Sequence, residues 1–259
     1  MATVVPVVPW SMAIIYWGMS DSMDKLIFRE LPTYLLEIMR KYFRLQVEGA
    51  EHLPKRGPAI IAPNHSGVSG FDALVLMHEI ERITGRLPRV MTHHFWFLTK
   101  TTSIPAKKLG FIDATSRNGL RELEKKQMIM LFPEGEYGNF KPSTKAYQLQ
   151  EFKRGFVRMA IKTGAPIIPT MIIGAEEANI NLSQFKLTKF LRGVVIPLPL
   201  NIIPLPSKWK IKFLKPIYLP YKPSAVNDRE LMRDIADDIR EQIQSRIQAE
   251  IKKRKNVYF

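Results

Sequence analysis

Two side chains capable of acid–base chemistry, His65 and Asp72, follow an apolar segment with six residues between them. An imidazole at the end of a strand can act as a general base when a carboxylate holds its tautomer. On a continuous helix these positions would be separated by roughly 10 Å of rise, so a direct contact requires a turn. Gly67 and Gly70 permit that turn, which predicts a loop and a helix that begins near Phe71. A hydrogen-bonded structural histidine is the alternative.

A second candidate, Glu134, stands between a proline and a glycine directly after the apolar segment Met130–Phe132. If that segment is a strand, the turn residues fix the carboxylate at the edge of a sheet. Active sites of α/β sheets gather at such strand ends. The sequence therefore allows Glu134 to share a site with His65, and a plain turn glutamate is the alternative.

Four ordered blocks of the sequence resemble the glycerolipid acyltransferase family, which includes lysophosphatidate acyltransferase. The first block is the His-x6-Asp segment that starts at His65, and the third is the Phe-Pro-Glu-Gly segment around Glu134. Leu109–Asp113 is similar to the family's second block, and Ala165–Thr170 is similar to its fourth. The resemblance covers most of the chain, from about residue 47 to residue 216.

The resemblance implies an enzyme that transfers a fatty acyl group from acyl-CoA or acyl carrier protein to the hydroxyl group of a lysophospholipid or other glycerolipid. His65 would accept the proton of that hydroxyl group, and Asp72 would orient His65. The thioester donor needs neither a cofactor nor a metal ion. The other positions expected to contact substrate, in or near the blocks, are Asn64, Ser66, Arg117, Glu134, Gly135, Lys141 and Pro169.

Three departures from the family pattern concern the acceptor. The family most often has four residues between the histidine and the aspartate, and this chain resembles a branch with the longer His-Ser-Gly form. The arginine that commonly follows the third block is replaced by Glu136 and Tyr137, and the nearest arginine to the second block is Arg117. Because arginine binds phosphate bidentately, these losses favour a neutral or zwitterionic lysolipid unless Lys141, Lys145, Lys153 or Arg154 compensates.

Short apolar segments alternate with segments of helical periodicity after residue 44, which predicts an α/β fold with a mixed central β-sheet flanked by helices. Strands are predicted at residues 45–47, 59–62, 89–91, 128–132, 167–173 and 209–214. Helices are predicted at residues 73–83, 120–126, 152–163 and 228–253, the last with an apolar residue at every fourth position. Four prolines in residues 193–207 predict a buried loop, or an apolar flap that enters lipid or lines an acyl-chain groove.

The first twenty residues carry no charged side chain. Pro6 and Pro9 interrupt this run, which favours a segment at the membrane surface over one that spans the membrane. Residues 21–44 show helical periodicity, and Pro32 is expected to kink or divide the helix. We therefore divide the chain into an N-terminal helical membrane-associating segment, residues 1–44, and an acyltransferase domain, residues 45–259.

The net charge of +15 indicates a polyanionic partner. The sequence shows neither zinc-finger spacing nor an RNA-recognition motif, so we expect the cytoplasmic face of a lipid membrane and no nucleic acid. The chain has no cysteine, which excludes disulfides and thiolate nucleophiles. The mode of membrane association is expected to be peripheral or monotopic.

Two other functions stay open at this point. The chain could be a non-catalytic lipid-binding protein of the same fold, or an acyltransferase for a head group other than glycerol. The Gly67–Gly70 segment is one residue short of a nucleophile elbow, which disfavours a serine hydrolase. His93 and His94 have no third metal ligand at a suitable spacing, and the aromatic residues at 95–97 are expected to pack in the core or at an interface.

Overall fold

A computed structural model describes residues 22–66, 70–187 and 194–258, apart from the side chains of residues 184–187 and 194–196. The uncharged segment 1–20 and the glycine-rich loop at 67–69 lie outside the described residues. Nine strands are described: β1 (Gln46–Glu48), β2 (Ala59–Pro63), β3 (Arg89–Thr92), β4 (Phe111–Asp113), β5 (Met128–Met130), β6 (Ile167–Ile173), β7 (Asn181–Leu187), β8 (Val194–Pro199) and β9 (Lys210–Phe213).

Seven of these strands form the central sheet, in the order β1-β9-β6-β2-β5-β3-β4. The five strands from β6 to β4 run parallel to one another. Strand β9 pairs antiparallel with β6, and β1 pairs parallel with β9. The predicted mixed sheet is thereby confirmed. Since the five parallel strands share a direction, the residues that follow them meet at one edge, where ligands bind in open α/β sheets.

Eight α-helices surround the sheet in the described part of the chain. They are α1 (Leu31–Tyr42), α2 (Phe71–Thr84), α3 (Lys100–Lys108), α4 (Ser116–Glu124), α5 (Glu136–Asn139), α6 (Gly155–Thr163), α7 (Ala175–Ala178) and α8 (Arg229–Lys253). A π-helical turn at Leu26–Glu30 ends where α1 begins. Pro32 lies in the first turn of α1, where a residue without an N–H group costs little. The helical backbone continues without a break from residue 22 to Tyr42, so Pro32 does not divide it, and the irregularity is the π-helical turn that precedes α1.

Two apolar cores lie on opposite faces of the sheet. Alternate residues of β6 belong to different cores: Ile167 and Met171 pack with α6 and α8, whereas Ile168 and Ile172 pack with α1 and α2. This alternation follows from the two-residue period of a strand. A strand that is apolar on both faces belongs in the interior of a helix-covered sheet, and β6 lies there between β9 and β2.

Helix α8 packs against the domain, as its periodicity predicts. Its buried residues are Met232, Ile235, Ala236, Ile239, Ile243 and Ile247. Asp228 caps the helix, because its carboxylate accepts the backbone N–H groups of Glu230 and Leu231. The cap and the apolar face both favour the helical state.

The proline-rich segment differs from the buried loop expected for residues 193–207. Strand β8 pairs antiparallel with β7 in a separate two-stranded sheet. Such a sheet has only edge strands, where proline is tolerated. Beyond β8, Ile202 and Ile203 are 85% and 81% exposed. The prediction of a buried loop is therefore wrong for these two residues. Among the residues described, no helix combines the length and the apolar character needed to cross a bilayer.

The first two aromatic residues after His94 lie outside the core, which was one of the two places expected for them; packing at an interface stays a prediction. Phe95 and Trp96 are exposed in a 3₁₀ turn. The His94 imidazole Nδ1 lies 2.9 Å from Oδ2 of Asp113, at the end of β4. Packing of these aromatic side chains in the interior of the domain is therefore ruled out.

Candidate active site

The loop between β2 and α2 brings His65 and Asp72 together. Helix α2 begins at Phe71, as predicted, and Nδ1 of His65 lies 2.6 Å from Oδ2 of Asp72. The buried carboxylate also accepts the backbone N–H groups of Ser66, at 2.9 Å, and Ala73, at 2.8 Å. A carboxylate on Nδ1 places the imidazole proton there, which leaves the Nε2 lone pair able to accept a proton.

The ring of Phe132 fixes the orientation of the imidazole from one face. The centroids of the Phe132 and His65 rings are 3.9 Å apart, and their planes differ by 24°. The His65 side chain keeps 14% of its surface exposed. The imidazole is therefore held on two sides and still reachable by a substrate.

Glu134 supports the backbone of this loop from a buried position. Its Oε1 accepts the backbone N–H of His65 at 2.9 Å, and its Oε2 accepts that of Gln150 at 2.7 Å. Both oxygens are thus occupied by main-chain donors, and the geometry gives Glu134 a positioning role in place of the expected acceptor contact. Gly135 has φ 60° and ψ −148°, a conformation essentially restricted to glycine.

Asn64 and Lys141 also lie in the interior, which corrects the expectation that they contact substrate. The Asn64 carboxamide bonds the backbone N–H and carbonyl of Ile172 at 2.7 and 3.0 Å, and this ties the end of β2 to β6. The Lys141 ammonium lies 2.8 Å from Oε1 of Glu176 and 3.9 Å from Oε2 of Glu134. A buried cation between two carboxylates is already neutralised and does not face solvent.

Glu176 was not identified from the sequence. It stands three residues after β6, and burial raises its pKa to about 7 against the opposing effect of Lys141. Its position along the chain, shortly after a strand, is the feature of the sequence that could have identified it. The segments that follow β6, β2 and β5 carry Glu176, His65 and Glu134, and these strands are neighbours in the sheet.

A model of the acyltransferase family matches residues 44–173, half of the chain, and the match contains His65, Asp72 and Glu134. The chain belongs to the glycerolipid acyltransferase family. An uncharacterized protein of Mycobacterium tuberculosis is 33% identical over 257 residues, which cover 94% of this chain and 71% of that protein.

Two relatives with descriptive names also match this acyltransferase. The chloroplastic 1-acyl-sn-glycerol-3-phosphate acyltransferase of Arabidopsis thaliana is 26% identical over 138 residues, which cover 51% of this chain and 37% of the plant protein. The crystal structure of the 1-acyl-sn-glycerophosphate acyltransferase of Thermotoga maritima superposes with a TM-score of 0.55 at 18% identity, covering 93% of this chain and 90% of the other. At that identity the structural likeness concerns the fold.

The other residues expected to contact substrate in this acyltransferase are placed as follows. Arg117 is exposed on α4, just after the end of β4. Pro169 is buried inside β6, where it pairs with Ala62. Ser66 is buried, and its hydroxyl oxygen has no hydrogen-bond partner. Contact of Arg117 with substrate stays a prediction, whereas the burial of Pro169 argues against such a contact.

A chain of polar contacts connects the site with the residues that follow α8. Glu176 accepts the backbone N–H of Tyr147 at 2.8 Å, and the Tyr147 hydroxyl donates to the carboxylate of Glu177. Burial raises the pKa of Tyr147 well above its ordinary value, so the phenol keeps its proton. On the other side, the Arg254 guanidinium donates to Glu177 at 2.7 Å.

Proposed function

We propose that this acyltransferase transfers a fatty acyl group from acyl-CoA or acyl carrier protein to the hydroxyl group of a lysophospholipid or another glycerolipid, with His65 as general base. One observation carries the proposal. The imidazole of His65 is hydrogen-bonded at 2.6 Å to the buried carboxylate of Asp72 and remains partly exposed at the carboxyl edge of the sheet. A histidine held in this way is suited to proton transfer at its second nitrogen.

The reaction follows from this geometry. Nε2 of His65 accepts the proton of the acceptor hydroxyl while its oxygen attacks the thioester carbonyl carbon. The tetrahedral oxyanion then collapses, the carbon–sulfur bond breaks, and the thiolate takes the proton from the imidazolium. Asp72 stays ionised and stabilises the imidazolium between these steps. A general base of this kind contributes about a hundred- to ten-thousandfold in rate.

The surroundings of Gly135 support a neutral or zwitterionic acceptor. Lys141, which could have replaced the missing arginine, is neutralised by Glu134 and Glu176. Arg117, Lys145, Lys153 and Arg154 are exposed and are cations of the described residues near the second and third blocks, with the Lys153 ammonium beside Gly135. Lysine binds phosphate as a point charge, so a site without the arginine of the third block binds a phosphate monoester less tightly than one with a bidentate arginine.

A membrane surface is the proposed location of the reaction. The side chains of Tyr34, Leu35 and Ile38 on α1 are exposed, as are those of Ile202 and Ile203; together we call them the apolar surface. The two parts are joined, since the Tyr42 hydroxyl donates to the carbonyl of Pro204 at 2.7 Å. Exposed apolar groups on a chain of net charge +15 fit an anionic bilayer, where apolar insertion and charge attraction act together.

The replacement His65→Ala tests the base assignment. We expect the purified variant to lose at least about a hundredfold in kcat for acyl transfer from acyl-CoA to a panel of lysolipids, because the proton acceptor is gone. Product formation is measured by mass spectrometry, and folding by circular dichroism and thermal unfolding.

His52→Ala is the matched control. His52 lies in the segment before β2, at the edge of the sheet opposite to the active site, where its imidazole contacts the carbonyl of Phe213. It should keep the wild-type rate. A folded His65→Ala protein with wild-type turnover would disprove the base assignment. A wild-type protein that binds lysolipids and acylates none would instead support the non-catalytic alternative.

A further inference from the structure

A small polar cavity lies behind the His65 loop. Its volume is about 10 Å³, and its walls include Ser66, Asn139, Lys141 and Glu176. The Ser66 Oγ and Asn139 Oδ1 atoms are buried and have no hydrogen-bond partner. Another buried polar atom at this wall, Glu176 Oε1, forms an ion pair with Lys141.

The size and chemistry of the cavity suit a single water molecule. Its volume corresponds to about one water. Buried polar atoms in native proteins nearly always have a partner, and ordered water supplies it where side chains do not. One water can donate hydrogen bonds to Asn139 Oδ1 and to the Glu176 carboxylate while it accepts a hydrogen bond from the Ser66 hydroxyl.

Ser66 connects this cavity to the imidazole. Its backbone N–H donates to Oδ2 of Asp72, the oxygen that also contacts His65 Nδ1. On the other side of the loop, the His65 N–H is held by Glu134, which faces the Lys141 ammonium. Lys141 therefore lies between Glu134, at 3.9 Å, and Glu176, at 2.8 Å, and Glu176 shares the cavity wall with Ser66.

We propose that the cavity binds one water molecule that links the Ser66 hydroxyl to the Glu176 carboxyl group, and that Glu176 and Lys141 thereby position the His65 loop without touching substrate. The second part rests on the proposed role of His65. The charged groups that face Glu176 are Lys141 and Glu134, and Glu177 stands next to it on α7. With two buried carboxylates and one ammonium, removal of Lys141 leaves negative charge in the interior without a counter-ion.

A crystal structure of the wild-type protein tests the water site. We expect an ordered water within about 3.2 Å of Ser66 Oγ and of a Glu176 oxygen, and its loss in Ser66→Ala. A direct hydrogen bond between the two side chains would overturn this part. An anomalous peak after a soak in rubidium would also overturn it, because the occupant would then be a cation.

Amide hydrogen exchange tests the positioning role without any turnover. In Glu176→Leu we expect the backbone N–H groups of His65 and Ser66 to exchange about tenfold faster, the effect of about one lost hydrogen bond. Glu176→Gln keeps an acceptor oxygen and should restore most of the protection. Glu124→Leu, at an exposed position of α4, is the control.

The kinetic readout separates positioning from substrate contact. Glu176→Leu should lower kcat about tenfold with KM for the acyl donor unchanged, and Glu176→Gln should recover most of the rate. If Glu176→Leu fails to fold, Ser66→Ala gives the same exchange test. Unchanged exchange in folded variants overturns the positioning role, whereas altered exchange in a protein without acyl transfer refutes only the proposed function.

Discussion

At the scale of single residues, the side chains around His65 are held largely by main-chain donors. Asp72 accepts the N–H groups of Ser66 and Ala73, and Glu134 accepts those of His65 and Gln150. Peptide donors fix a carboxylate without adding charge to the site. The hydrogen bonds that orient the imidazole are consequently formed before substrate binds, as electrostatic preorganisation requires.

The same main-chain donors limit what the sequence could predict of the site. His65 and Asp72 were identified because glycines permit a turn between them and because four sequence blocks resemble the acyltransferase family. Glu134 was identified as well, but its predicted contact was with the acceptor, since no sequence pattern reveals which amide a carboxylate meets. Glu176 was missed because its unusual pKa arises from burial.

Glu176 makes the stability of this acyltransferase depend on pH. Its pKa is raised from the ordinary value of 4.5 to about 7 in the folded protein, so the folded state binds the proton more tightly. The stabilisation is complete below pH 4.5 and is lost as pH rises towards 7, in total about 3 kcal/mol at about 1.4 kcal/mol per pKa unit. Glu176→Gln should remove this component.

The measurement is urea unfolding of wild type, Glu176→Gln and the exposed control Glu124→Gln at pH 5 and pH 8. The wild-type protein should lose stability between the two pH values relative to Glu176→Gln. The control should follow the wild type. A constant difference between wild type and Glu176→Gln would refute the raised pKa.

At the scale of secondary-structure elements, the strongly patterned segments were predicted best. Strand β6 matches its predicted bounds, because an apolar segment between a glycine-containing turn and Gly174 has clear ends. Helix α3 was missed since it contains Pro105 and is rich in lysine, which leaves little apolar periodicity. The β7–β8 hairpin was missed because β8 contains two prolines, which count against a strand in a sequence-based assignment.

Helix α8 should contribute to stability mainly through its buried isoleucines. Ile243 is fully buried in the core beside β6, so Ile243→Ala is expected to cost about 2–5 kcal/mol in the free energy of unfolding. The matched control is Ile251→Ala, the same chemical change at a half-buried position near the end of the helix.

Urea denaturation with both variants measures this difference. Ile251→Ala should cost clearly less than Ile243→Ala, because less surface and a smaller cavity are involved. Equal losses would show that the packing of α8 is not concentrated at its central residues.

At the scale of the whole molecule, the apolar surface and the positive charge predict how the protein meets a bilayer. Replacing both Ile202 and Ile203 by serine should weaken binding to vesicles of phosphatidylglycerol and phosphatidylcholine by about tenfold per side chain, since each isoleucine loses its transfer into the apolar phase. Sedimentation with the vesicles measures the bound fraction.

Tyr218→Ser provides the control for vesicle binding. Tyr218 is 70% exposed and follows Ile217, which pairs with the start of β6, at the edge of the sheet opposite to the active site. Binding of this control should equal that of wild type, and added salt should weaken both by screening. Salt-independent binding to neutral vesicles would contradict the electrostatic part.

The contact between Arg254 and Glu177 links the segment after α8 to Glu176 by way of Tyr147, and so to the proposed support of the His65 loop. A chain shortened after Lys253 would keep all of α8, yet the Glu177 carboxylate would lose its guanidinium partner one residue away from Glu176. Removal of the residues after Lys253 by exopeptidases is therefore expected to lower the rate of acyl transfer, while the protein stays folded.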